Sequence, residues 1–277
     1  MNSLASVTLI NGKPADTVLV TERALQYGDG LFETISCVAG RPRWLERHLQ
    51  RLRRGCERLR IPFAAEQTLS AEVAGLAAGE GRCIVKVILS RGAATRRGYR
   101  PQGDERVTRI VSRLDWPSEE ATPQRLRVGL SAVALGINPL LAGIKHLNRL
   151  EQVLAQLHKG PELDEVLMCA SDGELIGGSM SNVFLVDARG LFTPAIERCG
   201  IAGVMRALVL DAAGALPAAA GGVQLRSVTA AGLPGVHEAF MTNVRWGIRS
   251  IGVLDGRTLS SDDYAGKLRR LIDAAQA

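Results

Sequence analysis

One amphipathic helix among several short apolar strands is the pattern that most constrains the fold of this 277-residue chain. Between Trp44 and Arg60 the apolar side chains recur at helical spacing, at Leu45, Leu49, Leu52, Cys56 and Leu59, and Pro62 ends the segment. Residues 83–90 (CIVKVILS) and 107–114 (VTRIVSRL) have the composition of strands. Because such elements must bury their apolar faces against one another, the pattern predicts a mixed α/β fold.

A second group of predicted elements follows a stretch rich in proline and glutamate. The first group also includes strands at 7–10 and 17–20, around the turn 11–14. After the stretch at 116–124, strands are predicted at 126–133, at 165–170 with a return strand after the turn 171–173, at 182–187, at 223–228 and at 237–242. Helices are predicted after Lys145 and over 203–213. The order predicts two lobes: an N-terminal α/β domain over 1–116, a linker at 117–123 and a larger C-terminal domain over 124–277.

Composition excludes several classes of protein. Hydrophobic residues make up 46% and charged residues 22%, as in a globular chain with a sizeable core. No run approaches the roughly 20 apolar residues that span a bilayer, and the first residues lack the pattern of a signal peptide. The missing signal-peptide pattern predicts a cytoplasmic protein. The five cysteines never form a C-x-x-C pair, which predicts reduced thiols without disulfides or a zinc site.

The basic balance of the chain raises nucleic acid as a partner. The net charge is +6, and 29 of the 34 basic residues are Arg. The densest arginines lie on the helix from Trp44 to Arg60, but aromatic residues make up only 4%, so stacking platforms for bases are scarce. A solvated basic surface with a few anion-binding arginines explains the charge better than nucleic-acid binding does.

Common catalytic motifs are absent. Gly28-Asp29-Gly30 begins a dinucleotide-binding fingerprint, but Glu33 stands where the third glycine is needed. Gly177 to Ser181 departs from a nucleophile elbow at its last residue. The four histidines are not at ligand spacing, so no metal site is expected.

Lys145 is the most unusual residue, since the chain has only five lysines and this one lies among Leu141, Ile144 and Leu147. An amine that is partly removed from water loses basicity and becomes a nucleophile, as in lysines that form Schiff bases. The alternative is a lysine whose stem packs on apolar surface while its charge reaches water. The spacing alone leaves both interpretations open.

The lysine segment LAGIKHLNRLEQVL (141–154) resembles that of the aminodeoxychorismate lyases, within the fold-type IV class of pyridoxal-phosphate enzymes. Branched-chain and D-amino-acid aminotransferases belong to the same class. The resemblance covers nearly the whole chain and includes YGDGLFET (27–34), HLQRL (48–52), SRG (90–92), RGY (97–99), SNVF (181–184), GIAGVMR (200–206) and MTN (241–243).

The resemblance implies a cofactor, pyridoxal 5'-phosphate, bound between the two lobes. Lys145 would attach it covalently and move protons during the reaction. Arg51 would bind the phosphate, because a planar guanidinium presents a fork of donors to its oxygens. The backbone amides of Val204 and Met205 would bind it at a helix N-terminus, and Asn243 and Val244 would line the phosphate and substrate side.

The resemblance also implies how substrate is held. Arg97 and Tyr99 match a loop that, in related D-amino-acid aminotransferases, crosses a dimer interface to hold a carboxylate, with Arg91 supporting its start. Phe32 occupies a position where relatives often carry Tyr and would pack on the cofactor ring. The chain is therefore expected to form a homodimer with active sites near the interface.

The implied reaction converts 4-amino-4-deoxychorismate to 4-aminobenzoate and pyruvate, a step that feeds folate synthesis. One departure stands out, because Gly177 lies where fold-type IV enzymes usually carry a Glu that faces the pyridine nitrogen. Without that carboxylate the cofactor is a weaker electron sink, which favours elimination over transamination.

Two alternatives stay open. The first is a fold-type IV aminotransferase that acts on D- or branched-chain amino acids, because the class shares its cofactor contacts. The second is a nucleic-acid or anion-binding module that uses the arginine-rich helix.

Overall fold

The computed structural model of the chain describes residues 7–63, 65–116, 124–215 and 222–275. They form two compact units: the described residues of Met1–Ser118 with Ile144–Asn148, and those of Glu119–Gly143 with Arg149–Ala277. The predicted linker at 117–123 lies outside the described residues. No helix in the described ranges is long and apolar enough to cross a membrane.

The first unit is built on an antiparallel sheet with the order β2-β1-β6-β5-β3-β4. Its described strands are β1 (Thr8–Ile10), β2 (Lys13–Pro14), β3 (Gly30–Val38), β4 (Arg41–Pro42), β5 (Arg82–Ser90) and β6 (Thr108–Asp115). Its helices are α1 (Arg23–Tyr27), α2 (Leu45–Leu59) and α3 (Glu66–Ala77). Helices α2 and α3 pack on this sheet and bury the apolar side chains that face it.

Helix α2 confirms the amphipathic pattern. Leu49, Leu52 and Cys56 are buried as the spacing predicts. The helix approaches β3 closely, because a Cβ at Gly55 would lie 2.7 Å from Leu31 Cδ1. This close approach places the polar residues of the same helix face against β3.

The first hairpin differs from the prediction. The return strand is β2, not 17–20, because Asn11 and Gly12 both take positive φ (50° and 82°) and close a two-residue turn. Leu9 therefore pairs with Pro14, and residues 17–20 lie outside any strand.

The second unit contains a mixed sheet of nine described strands, ordered β12-β11-β10-β13-β14-β7-β8-β9, with β15 paired to β14. The strands are β7 (Arg125–Leu130), β8 (Glu165–Cys169), β9 (Leu175–Gly178), β10 (Asn182–Asp187), β11 (Gly190–Thr193), β12 (Gln224–Leu225), β13 (Glu238–Asn243), β14 (Gly247–Leu254) and β15 (Arg257–Thr258). Its helices are α4 (Leu150–Leu157), α5 (Val204–Ala213), the 3₁₀ helix Ala230–Gly235 and α6 (Asp263–Ala274).

Helices α5 and α6 pack together and against β13. The buried carboxylate of Glu238, on β13, accepts hydrogen bonds from the amides of Asp263 (3.1 Å) and Ala265 (2.9 Å). It thereby satisfies amides in the first turn of α6, whose own N-cap residue makes no side-chain cap. The β8–β9 hairpin, β10, β13 and α5 confirm the predicted elements.

The helix predicted after Lys145 begins later than expected. Helix α4 starts at Leu150, so Lys145 and Leu147 precede it. The reason is the strand-like pairing of Ile144–Asn148 with β3, where Leu147 N–H donates to Gly30 O at 3.0 Å. The apolar stripe of α4 is exposed: Leu150, Val153, Leu154 and Leu157 all face away from its own unit's core.

Candidate functional site

Lys145 lies beside an aromatic ring in the first unit. Phe32 N–H donates to Lys145 O at 2.9 Å, so the two residues are antiparallel neighbours and their side chains share a face. Lys145 Nζ is 4.1 Å from the centroid of the Phe32 ring, and the side chain is half-buried. The structure therefore places two of the predicted site residues, Lys145 and Phe32, in contact.

Arg51 forms an ion pair with the buried carboxylate of Glu33. Its Nε donates to Glu33 Oε1 at 2.8 Å, and its Nη2 donates to Oε2 at 2.5 Å. The Glu33 side chain is 2% exposed and that of Arg51 is 11% exposed. Burial alone would raise the pKa of Glu33, but the charge of Arg51 and the hydrogen bonds from His48 and Arg51 lower it to about 2.

His48 completes this buried group. Its Nδ1 is 2.7 Å from Glu33 Oε2. Burial lowers the pKa of His48 more than Glu33 raises it, and the positive charges of Arg51 and Lys145 lower it further. His48 is therefore neutral at pH 7, with the Nδ1 proton donated to Glu33. Its Nε2 is buried and has no partner among the described residues.

Hydrogen bonds from two arginines fix the start and the backbone of the loop that carries Arg97 and Tyr99. Arg91 is buried and binds Asp29 through Nε (2.8 Å) and Nη2 (3.0 Å), as well as the carbonyls of Leu59 and Arg60. Arg23 donates to Tyr99 O at 2.7 Å, which anchors the backbone of the loop. Arg97 is exposed, and the Tyr99 side chain, 84% exposed, meets the Tyr27 ring edge-on.

In the second unit the N-terminus of α5 is built to accept an anion. Gly203 precedes the helix in an extended conformation and makes no side-chain cap. The first intrahelical hydrogen bond runs from Ala207 N–H to Gly203 O, so the amides of Val204 and Met205 have no acceptor within the helix. Such amides, together with the helix dipole, bind phosphate.

Three side chains shape the surroundings of this helix end. Asn182 Nδ2 donates to Ile201 O at 2.9 Å, and its Oδ1 occupies the space that a Cβ on Gly203 would need. Thr242, paired with Asn182 across the sheet, has a buried hydroxyl with no partner among the described residues. Arg206 is buried, and burial lowers its pKa.

No carboxylate in the described ranges pairs with Arg206, whose Nη2 donates only to Pro194 O at 3.1 Å. A buried cation in the first turn of a helix adds to the positive end of the dipole. This cradle of amides, hydroxyl and guanidinium therefore fits a phosphate group.

Asn243 has a structural contact that its predicted role did not include. Its Oδ1 accepts from the amides of Arg245 (3.0 Å) and Trp246 (2.8 Å), and its Nδ2 lies 3.5 Å from Met180 O. The side chain thus closes the turn after β13. Val244 lies in the same turn and is half-buried.

A buried carboxylate lies near Gly177, although sequence reasoning did not identify it. Glu165 is buried on β8 and accepts hydrogen bonds from Ser179 Oγ (2.5 Å), Ser181 Oγ (3.1 Å) and the amide of Met180 (3.3 Å). It fixes the turn between β9 and β10. A Cβ at Gly177 would lie 3.0 Å from Ser181 O, so this turn closes tightly over the glycine.

The roles of Glu33, His48 and Arg206 were not recognised in the sequence either. The only available signal was the charged Glu33 inside an apolar strand, which indicates a buried pair without identifying its partners. Within the described residues, no group of three or more His, Cys, Asp or Glu side chains could hold a metal ion.

Comparison with known proteins places these features in a family. The amino-transferase class IV family matches residues 30–253. The chain is similar to an aminodeoxychorismate lyase from Vibrio harveyi, with 33% identity over 271 residues, 95% of this chain and 97% of that protein.

Two solved structures share the fold over almost the whole chain. The 4-amino-4-deoxychorismate lyase from Pseudomonas aeruginosa has 38% identity and a TM-score of 0.86, covering 97% of this chain and 98% of that one. A branched-chain amino acid aminotransferase from T.th., solved with pyridoxamine 5'-phosphate, has 24% identity and a TM-score of 0.82, covering 97% and 93%.

Proposed function

This chain belongs to the amino-transferase class IV family, and from that premise we propose that it is a pyridoxal-phosphate-dependent aminodeoxychorismate lyase. The reaction converts 4-amino-4-deoxychorismate to 4-aminobenzoate and pyruvate, a step in folate biosynthesis. Similarity to two lyases of that name, at 33% and 38% identity, supports this reaction over the others of the family.

The observation that carries the proposal is the amine of Lys145, half-buried on the face of Phe32. A partly desolvated amine beside an aromatic ring is suited to forming a covalent bond with an aldehyde. The α5 cradle of Val204, Met205, Thr242 and Arg206 fits the phosphate of the same cofactor.

Pyridoxal phosphate, when bound, supplies an electron sink for the bonds next to the substrate nitrogen. The protein's contribution is to hold the group and to move protons. Lys145 Nζ would hold the cofactor through its aldehyde, and as a free amine it would accept the ring proton beside the substrate nitrogen. Phe32 gives the reacting groups an apolar wall.

The remaining step breaks the bond between the ring and the enolpyruvyl oxygen. The electron pair left by the proton that Lys145 Nζ accepts forms the new ring double bond, and the enolpyruvyl group leaves and gains a proton to become pyruvate. Because the ring becomes aromatic, much of the driving force comes from the product. The chain therefore needs less stabilisation of the carbanion than a transaminase does.

Arg51 has a defined place in this proposal. Glu33 binds the Nε and Nη2 of its guanidinium, which fixes the plane of the group, and the Nη1 edge is the part that we propose contacts a phosphate oxygen. Val244 and the backbone of Asn243 line the cofactor and substrate side, and the Asn243 side chain keeps their turn in shape.

Aminotransfer is the second candidate function, favoured by the shared fold with a branched-chain amino acid aminotransferase. A half-reaction with D-alanine or a branched-chain amino acid, followed by detection of the 2-oxo acid, tests it. Gly177 argues against it, because a glycine offers no carboxylate to the pyridine nitrogen.

We propose a homodimer as the working form. The exposed apolar stripe of α4, with Leu157 at 73% and Leu150 at 70% exposure, supports it because soluble chains seldom leave such a stripe in water. The exposed Arg97 and Tyr99 are then available to hold a substrate carboxylate in the neighbouring subunit. All five cysteines are free thiols, which supports the cytoplasm as the location.

Spectroscopy and product analysis together test the proposed function. We expect a visible absorption band after addition of pyridoxal phosphate, which borohydride abolishes, and formation of 4-aminobenzoate and pyruvate in equal amounts from aminodeoxychorismate. A chain that binds no cofactor, or that forms only the 2-oxo acid of an added amino acid, contradicts the lyase assignment.

A further inference from the structure

The turn between β13 and β14 presents two hydrogen-bond donors that lack acceptors. The indole Nε1–H of Trp246 is buried and has no partner among the described residues. The guanidinium of Arg245 makes no ion pair or side-chain hydrogen bond within the described part of the chain, and contacts only the Trp246 ring. The indole N–H is closed to solvent, whereas the half-exposed guanidinium has no protein anion in the described ranges and can bind a ligand that supplies one.

The turn holds these donors in place before any ligand arrives. Asn243 Oδ1 accepts from the amides of both Arg245 and Trp246, and Gly247 takes the positive φ of 68° that closes the turn. Trp246 packs on the core of the second unit, and the guanidinium lies 5.5 Å from its ring centroid. A cation stacked on a fixed ring is preorganised for an anion.

The turn and the α5 cradle lie at the same end of the second sheet. Thr242, the residue before Asn243, pairs with Asn182, and Asn182 Oδ1 packs against Gly203 at the start of α5. One end of the sheet thus carries two anion-binding features, one for the cofactor phosphate and a second at Arg245.

We propose that Arg245, held over the Trp246 ring, binds the carboxylate on the ring of the substrate. A guanidinium fork matches a carboxylate, and the indole ring provides a planar surface that orients the guanidinium. This assignment rests on the proposed lyase function and names the substrate class that the site selects: ring acids that carry an amine. Arg245 is a specificity residue, and it takes no part in proton transfer.

Two ligands that differ in the charge of one group test the proposed role of Arg245. The product 4-aminobenzoate keeps the ring carboxylate, whereas 4-aminobenzamide has the same shape without the charge. We expect Arg245→Met to weaken binding of 4-aminobenzoate to the holoenzyme by about 10- to 100-fold, the range for a charged hydrogen bond. Binding of 4-aminobenzamide should change by less than about threefold, and Arg245→Lys should recover part of the affinity.

Kinetics separate this role from a structural one. Arg245→Met should raise KM for aminodeoxychorismate with kcat within about threefold, and it should leave cofactor absorbance and affinity unchanged. Arg189→Met is the matched control, because Arg189 lies in the turn between β10 and β11 and its side chain is 71% exposed. Its binding and kinetics should equal those of the wild type.

Four outcomes overturn the proposal. Equal losses of affinity for 4-aminobenzoate and 4-aminobenzamide would show that Arg245 shapes the site but does not recognise the carboxylate charge. A loss of kcat at unchanged KM would assign Arg245 to the chemical step. A wild-type chain without lyase turnover would remove the proposed function and this inference together, whereas an active wild type with an unaffected Arg245→Met variant removes this inference alone. If Arg245→Met fails to fold, Arg245→Gln supplies the same comparison, because it also removes the charge.

Discussion

Glu33 binds Arg51 through both carboxylate oxygens, at 2.8 Å to Nε and 2.5 Å to Nη2, on the buried face between β3 and α2. The same carboxylate accepts the Nδ1 proton of His48 at 2.7 Å. One buried anion therefore organises a cation and a neutral imidazole on the same helix. Because all three are removed from water, the charge of Glu33 contributes to stability as well as to the placement of Arg51.

This pair predicts how stability depends on pH. The pKa of Glu33 is lowered from 4.5 to about 2 in the folded chain, so its contribution is complete above about pH 5 and is lost as pH falls towards 2. The lowering corresponds to about 3 kcal/mol. Glu33→Gln should be less stable at pH 7 and should lose less stability between pH 5 and pH 2, as measured by urea unfolding of the cofactor-free protein.

Glu66→Gln is the control for that experiment, because Glu66 pairs with Arg53 in a half-exposed position. Its stability at pH 7 should fall by no more than about 1 kcal/mol. If Glu33→Gln and the wild type lose stability in parallel between pH 5 and pH 2, the charge of Glu33 does not stabilise the fold.

Lys145→Ala should abolish lyase turnover and the covalent adduct with pyridoxal phosphate that borohydride traps. The fold should survive, since the side chain is half-buried and the backbone pairing with Phe32 is kept. Mass spectrometry of the reduced protein, with circular dichroism for the fold, measures both expectations.

Lys86→Ala is the matched variant, because Lys86 Nζ lies 6.0 Å from the same Phe32 ring. It should keep the adduct. A trapped adduct in Lys145→Ala would reassign the attachment to Lys13, Lys86, Lys159 or Lys267.

Gly203→Ala should weaken cofactor binding by about 10- to 100-fold. A methyl group there would overlap Asn182 Oδ1, so the first turn of α5 must shift and carry the amides of Val204 and Met205 with it. Fluorescence titration of the cofactor-free protein with pyridoxal phosphate measures the change. Gly235→Ala, where no atom lies within 4 Å of the added Cβ, should bind as the wild type does. Equal affinity in both variants would exclude α5 as the phosphate site.

Gly177 predicts little amino-acid transamination by the wild type. Gly177→Glu should raise the transamination rate several-fold relative to the lyase rate, because a carboxylate at the pyridine nitrogen strengthens the electron sink. Gly177→Ala is the control for steric effects, because any Cβ at this position would lie 3.0 Å from Ser181 O. A wild-type transamination rate comparable to its lyase rate would count against this account of Gly177.

Arg97→Ala should raise KM, because the proposal places Arg97 on the carboxylate of substrate bound by the other subunit. Co-expression with Lys145→Ala should then restore activity, since mixed dimers carry one complete site and random pairing gives about one such site in four. Sedimentation must show a dimer. An active monomer, or mixtures no more active than the separate variants, would refute the shared site.

Local pattern predicted much of the fold. The helical spacing of Leu49, Leu52 and Cys56 defined α2, and the apolar runs defined β5, β6 and β10, because these periodicities record which face is buried. The apolar surroundings of Lys145 marked it as chemically unusual before any partner was known. Family resemblance supplied the proposed roles of Arg51, Val204 and Met205.

Only the tertiary structure decided which side chains meet. Glu33 lies on β3, whereas His48 and Arg51 lie on α2, and their contact depends on how closely α2 approaches β3 at Gly55. The start of α4 was predicted wrongly because residues of Ile144–Asn148 form backbone hydrogen bonds with β3 instead of within a helix. The local spacing of apolar residues does not reveal such long-range pairing. Periodicity in a sequence reports burial along one element, whereas the pairing of buried charges and orphan donors is a property of elements far apart in the chain.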